Sequence, residues 1–262
     1  MSAAEHIQVV DDGPVRTLIL NRPHKKNAIN KGMWEGLVAQ CDAIEGSDAV
    51  KVVVIRGAGD GFSGGADLSE MHQLLAANES LEGHYLAVDA ALTRLRALNR
   101  PMIAMIHGAC MGGGCMICLT ADLRIAAEDS SFAITPAKLG LTITSDQIAD
   151  LMRIVGEARA KEMLYTGQRL TAAQAAQWGL VNRLVPRADL EHSVAEMAEQ
   201  LQQVSQRSVR TFKTVMSEMA RGDQADRELC KRLYEEGFSS DDFREGAQAF
   251  LERRKPRFPS NQ

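Results

Sequence analysis

The chain has 262 residues, 45% of them apolar and 24% charged. That is the mix of one large globular domain, or a domain with an appendage, and it excludes disorder, collagen and coiled-coil architectures. Basic residues number 30 and acidic residues 34, for a net charge of −4, which excludes the broad basic surface of a nucleic-acid binder.

The first half reads as short strands between glycine-rich turns. Residues 7–10 and 15–20 flank Asp11-Asp12-Gly13, a hairpin signal. Residues 21–30 (NRPHKKNAIN) are too polar and basic for core. Residues 31–44 place Met33, Leu37, Val38, Cys41 and Ile44 at helical spacing. Residues 50–55 (VKVVVI) are a buried strand, and residues 57–65 then hold five glycines. Helices are expected near 68–77 and 81–98. The pattern recurs about fifty residues on, with a strand at 102–106, a second glycine run, and a short helix into Thr120. A further strand covers 123–127. Strand, glycine loop and helix in succession predict an α/β fold with a mostly parallel sheet.

Residues 101–120 are uncharged apart from His107, and long enough to span a bilayer. Pro101, Gly108 and Gly112-Gly113-Gly114 break a lone helix there, so no membrane span is expected. From Asp146 the chain is mainly helical. Thr171-Ala-Ala-Gln174 has the form of a capping box. Amphipathic helices are expected over 189–204, 207–220 and 240–253. The Arg253-Arg254-Lys255 cluster with Arg257 suits a solvated helix end. Five cysteines, an odd number, and a start without the form of a signal peptide predict a reduced, cytoplasmic setting.

Three motifs are weak when weighed against their context. Gly59-x-Gly61-x-x-Gly64 matches the dinucleotide fingerprint, but follows a third strand rather than the first. Gly61-x-Ser63-x-Gly65 matches a nucleophile elbow, but Ser63 trails its strand by eight residues, and His192 sits in an ordinary helical run. Cys115-x-x-Cys118, near His107 and Cys110, has redox spacing without a nearby cation to hold a thiolate. What survives is the pair of glycine loops. Two such loops can aim two backbone N–H donors at one oxygen, an oxyanion hole, or be simply tight turns.

Six segments in order resemble the crotonase (enoyl-CoA hydratase/isomerase) superfamily. They are NRPHKKNAIN (21–30), GAGDGFSGGADLSEM (57–71), HGACMGGGC (107–115), TADLRIAAEDSSF (120–132), GEARAKEMLYTGQRLTAAQAAQWGLVNRLV (156–185) and FREGAQAFLERRKPRF (243–258). The resemblance implies a ββα spiral core over residues 1–200 and a C-terminal helical trimerisation region over 201–262. It implies a homotrimer or dimer of trimers, and an acyl-CoA thioester as ligand. No cofactor beyond the coenzyme A of the substrate, and no metal, is implied. The oxyanion donors would be the N–H groups of Ala66 and Gly113. Coenzyme A contacts would come from Lys26, Ala28, Gly64, Asp67, Leu68, Phe250 and Arg253.

The chain departs from the family where hydratases carry two glutamates. Met116 and Pro136 stand at those positions. Neither can serve as the acid or base that hydration requires, and simple double-bond shifting loses its usual carboxylate too. Thr135-Pro136-x-x-Leu139-Gly140 resembles the methylmalonyl-CoA decarboxylase branch, although Ala66 and Ile143 replace that branch's histidine and tyrosine. Three readings follow: a crotonase-type enzyme that stabilises a thioester enolate, a malonyl-type decarboxylase, and a non-catalytic acyl-CoA binder. Asp146 is the nearest carboxylate downstream of the second site, so it is an acid/base candidate or a helix cap. Asp122 and His107 read as structural.

Overall fold

The computed structural model describes residues 6–261. β1 (Ile7–Asp12) and β2 (Val15–Leu20) form the expected hairpin, with Gly13 at φ +55° in its turn. α1 (Lys31–Glu45) follows; Asn30 caps it by accepting from the Met33 N–H. β3 (Val52–Gly57) leads through the first glycine loop to α2 (Leu68–Ala76) and α3 (Glu82–Ala97). β4 (Met102–Ile106), β5 (Ala109–Met111) and α4 (Gly113–Thr120) repeat the theme, as do β6 (Leu123–Ala127), β7 (Ser131–Ala133), α5 (Ser145–Val155) and α6 (Glu157–Thr166). β8 (Leu170–Thr171), α7 (Ala172–Gln177), β9 (Arg183–Val185) and α8 (Leu190–Gln203) close the spiral. α9 (Gln206–Met219), α10 (Arg227–Ser239) and α11 (Asp241–Leu251) form the C-terminal helical region.

The strands form two sheets, and from β4 onward the chain passes back and forth between them. The larger runs β1-β2-β3-β4-β6-β9 and is parallel after its first pair. The smaller runs β5-β7-β8. Two-residue periodicity divides β3 between two cores. Val53 and Ile55 face a core shared with α1, α3 and α4, where Trp34, Leu92 and Ile117 are buried. Val52 and Val54 face the other way, onto Leu190, Val194 and Ala198 of α8. Burial on both faces explains the unbroken apolar runs of β3 and β4.

The C-terminal helices tie to this frame through a carboxylate. Asp122 Oδ2 accepts from the Met102 N–H at 2.7 Å and from Lys213 Nζ on α9 at 2.7 Å. Asp122 is therefore a structural hub, as its position suggested. Phe212, Met216, Tyr234, Phe238, Phe250 and Leu251 remain exposed on α9–α11. No helix among the described residues is long and apolar enough to cross a membrane.

Candidate active site

β3 and β4 are parallel neighbours, so the loops that leave their C-terminal ends emerge side by side. Backbone bonds zip them together: Phe62 N–H to His107 O at 2.8 Å, Ser63 N–H to Ala109 O at 2.9 Å, and Met111 N–H to Ser63 O at 2.9 Å. Two glycines permit the approach. Gly65 has φ +99°, a left-handed conformation costly for any other residue. A Cβ on Gly114 would lie 2.6 Å from the Ser63 Cβ, so only glycine lets α4 start against the first loop.

The result is a pair of adjacent backbone donors. Gly113 opens α4, and its N–H lies in the helix turn that has no internal acceptor. Ala66 bridges Ile29, but the bonds use Gly65 O and the Asp67 N–H, leaving the Ala66 N–H free. Neither N–H meets an acceptor among the described residues. The two are close: a Cβ on Gly113 would sit 3.7 Å from the Ala66 nitrogen.

The segment 21–30, expected to be too polar for core, is partly buried and braces the first loop. Asn27 is only 1% exposed. Its Nδ2 donates to Ala58 O at 2.7 Å and Gly61 O at 2.8 Å, and its Oδ1 accepts from the Arg22 N–H. The expectation failed because the loop carbonyls supply partners that composition does not show. Arg22 also donates to Asp67 Oδ2 at 2.8 Å and Ala28 O at 2.7 Å. Asp67 caps α2 as well, through the Ser69 and Glu70 N–H groups. Burial alone would raise the Asp67 carboxyl, but hydrogen bonds from Ser69, Arg22 and the Glu70 backbone outweigh it and hold the group down at about 2. A depressed carboxyl stabilises the fold above its unfolded value, about 4, and loses that contribution as pH falls through about 2. The Tm gap between wild type and Asp67→Asn is therefore expected to be full at neutral pH and to close across this window. Thermal melts against pH measure it; a gap independent of pH contradicts the clamp.

Above the donors opens a cleft of about 680 Å³, within the range of small-molecule sites. Gly64, Ala66, Leu68, Gly113, Met116 and Pro136 all line it. The carbonyl of Lys26 accepts from the N–H of the cleft-lining Gly64 at 2.7 Å, while Lys26 and Ala28 are not themselves in the lining. The wall at Met116 and Pro136 is apolar and holds no proton.

Asp146 does not join this set. It sits in the exposed first turn of α5, 3.9 Å from Arg96, outside the cleft lining. Nor is it the cap, since Thr144 takes that role by accepting from the Gln147 N–H. Phe250 and Arg253 also lie away from the cleft lining of their own chain, and Phe250 is 82% exposed. His107 is buried, with Nε2 bonded to Gly59 O at 2.9 Å, and burial pushes its pKa down. Ser63 is buried and donates to Asn27 O, so it is no free nucleophile. Burial pushes the Cys110 and Cys118 thiols up, their sulfurs 3.4 Å apart, which suits packing rather than redox chemistry.

Sequence reasoning placed a helix at α3 but did not set it against the cleft. His84 and Asp89 both line the cleft, and Asp89 is the only carboxylate doing so among the described residues. Leu81, Tyr85 and Val88 share that face, and this helical spacing was the available signal.

Fold and cleft together define a crotonase-type α/β protein. The chain belongs to the enoyl-CoA hydratase/isomerase family, whose model matches residues 12–261. Among its relatives, the crotonyl-CoA hydratase of Syntrophomonas wolfei is 33% identical over 264 residues, spanning 98% of this chain and 99% of that one. The short-chain-enoyl-CoA hydratase of Clostridium acetobutylicum is 31% identical over 251 residues, spanning 93% and 94%. Among solved structures, an enoyl-CoA hydratase from Bacillus anthracis superposes with a TM-score of 0.89 at 32% identity, covering 97% of this chain and 99% of that one. An enoyl-CoA hydratase/carnithine racemase from Magnetospirillum magneticum gives 0.91 at 31% identity, covering 97% and 96%. At the level of its family, the protein is an acyl-CoA-processing enzyme.

Proposed function

We propose that the cleft binds an acyl-CoA thioester and stabilises its enolate through the N–H groups of Ala66 and Gly113. One observation carries this reading: two unpaired backbone donors stand side by side in the lining of a ligand-sized cleft. Charge that develops on the thioester oxygen finds donors already in place, and each lowers the barrier by roughly 2.7–4 kcal/mol. Gly64 and Leu68 line the cleft, and the backbone of Lys26 and Ile29 is bonded to Gly64 and Gly65, so the coenzyme A portion would pass Lys26 and Ala28, while Asp67 acts through the clamp with Arg22. Phe250 and Arg253 would reach a cleft only from a second copy of the chain. This agrees with a trimer or a dimer of trimers joined through the exposed apolar residues of α9–α11.

Ordinary hydration is expected to be weak, because Met116 and Pro136 leave water without the paired carboxylates of the hydratases. The same apolar wall favours a second reading. Loss of CO2 from a malonyl-type thioester creates an enolate without a base to remove a C–H proton. Mass spectrometry of 2-enoyl, 3-enoyl and methylmalonyl thioesters after incubation tests these readings. The expected result is a double-bond shift or CO2 loss with little gain of water. Fast hydration of the 2-enoyl ester would contradict the account of Met116 and Pro136. Binding without any conversion would leave a non-catalytic acyl-CoA binder.

A further inference from the structure

We infer that His84, oriented by Glu70, is the proton-transfer group of this cleft; the inference rests on the enolate reading above. His84 is only 5% exposed yet lines the cleft from the first turn of α3. Its Nδ1 is enclosed without a hydrogen-bond partner and lies 3.5 Å from Glu70 Oε2 on α2. Glu70 is itself held in place, since Oε2 accepts from the Lys31 N–H at 2.9 Å where α1 begins. Nε2 is not enclosed as Nδ1 is, and the residue lines the cleft, which leaves Nε2 as the ring nitrogen that can meet a ligand.

This is the arrangement of a base backed by an orienting carboxylate. A neutral ring that keeps its proton on Nδ1, toward Glu70, presents a bare Nε2 to the ligand. The orphaned Nδ1 is then accounted for, because a slight tightening toward Glu70 on ligand binding makes the bond; such contacts are often long before the complex forms. In the step itself, Nε2 takes a proton from C2 of the thioester. The C–H electron pair becomes the C1–C2 π bond of the enolate, and the carbonyl π pair moves to the oxygen. The imidazolium then returns a proton to C2, or to C4 of an enoyl chain. No oxidant, reductant or co-reactant is needed.

Exchange of the C2 protons of butyryl-CoA in D2O, read as mass gain, tests this. Wild type is expected to exchange them, and His84→Gln to slow exchange by about 10²–10⁴-fold with butyryl-CoA affinity retained. Added imidazole is expected to restore exchange to His84→Ala, which a purely structural role would not allow. Glu70→Gln keeps an acceptor for the Lys31 N–H. It is expected to lower the exchange rate at saturation about tenfold without changing affinity, and it carries the test if His84→Gln does not fold. Exchange that persists in His84→Gln, or that is lost in Asp89→Asn instead, overturns the assignment. Absence of exchange in wild type would instead overturn the enolate reading beneath it.

Discussion

Gly113→Pro is expected to lower acyl-CoA turnover by about 10²–10³-fold, the usual effect of deleting one oxyanion donor. The substitution is unusually clean at this position. Gly113 is the first residue of α4, where proline fits the helix because its missing N–H has no internal acceptor to lose. What proline removes is the unpaired N–H of a cleft-lining residue. Its Cβ would lie 3.1 Å from Trp34 Cζ2, so the indole must give by a few tenths of an ångström. Gly113→Ala introduces the same Cβ and keeps the N–H. Comparing the two separates crowding from loss of the donor: the alanine variant is expected to retain most of the turnover, and the proline variant almost none. Equal losses in both would assign the effect to crowding and remove Gly113 from the hole.

Trp34→Ala is expected to carry the largest stability penalty among single changes at the site, about 3–5 kcal/mol. Trp34 is 1% exposed on α1. It belongs to the core shared with α3 and α4 and also lines the cleft beneath Gly113. Removing the indole leaves a cavity under the start of α4, so the donor loses its support. A drop in Tm on the order of 10 °C is expected for a chain of this size, together with lower kcat/KM. Trp34→Phe is expected to cost less. The indole Nε1 is buried without a partner, and phenylalanine removes that unsatisfied N–H while filling much of the space. Thermal melts of the two variants check the order; a phenylalanine variant as unstable as the alanine one would contradict it.

The parts of the fold that were legible in the sequence owe this to burial and local chemistry. β3 and β4 were visible because strands covered on both faces are apolar throughout. The capping box of α7 was visible because it is local. Gln174 N–H donates to Thr171 Oγ1 at 3.2 Å, and Thr171 N–H to Gln174 Oε1 at 2.9 Å. β5, β7 and β8 have only two or three residues each, too few to show a period. α10 was also not foreseen: its apolar positions are spread thinly, and none of its residues is buried.

The same division runs through the site. Backbone donors depend on glycine loops after strands, which are visible in order and spacing. The side-chain wall depends on which distant helix folds over those loops. Asp146 is near in sequence to the missing carboxylate site but turns to solvent beside Arg96. His84 and Asp89 are about fifty residues from Pro136, yet α3 brings them to the same cleft. Asn27 looked like a surface residue, and only the carbonyls of Ala58 and Gly61 make its burial favourable.

The most direct test of the hole is an ultraviolet titration of acetoacetyl-CoA with wild type and Gly113→Pro side by side. This thioester ionises readily at C2, and its enolate absorbs where the neutral form does not. A site that stabilises an enolate raises the ionised fraction on binding. The account predicts a new enolate band with wild type, saturating as the ligand binds, and its loss in Gly113→Pro. Binding of acetoacetyl-CoA to wild type without that band, or an undiminished band in Gly113→Pro, would contradict it.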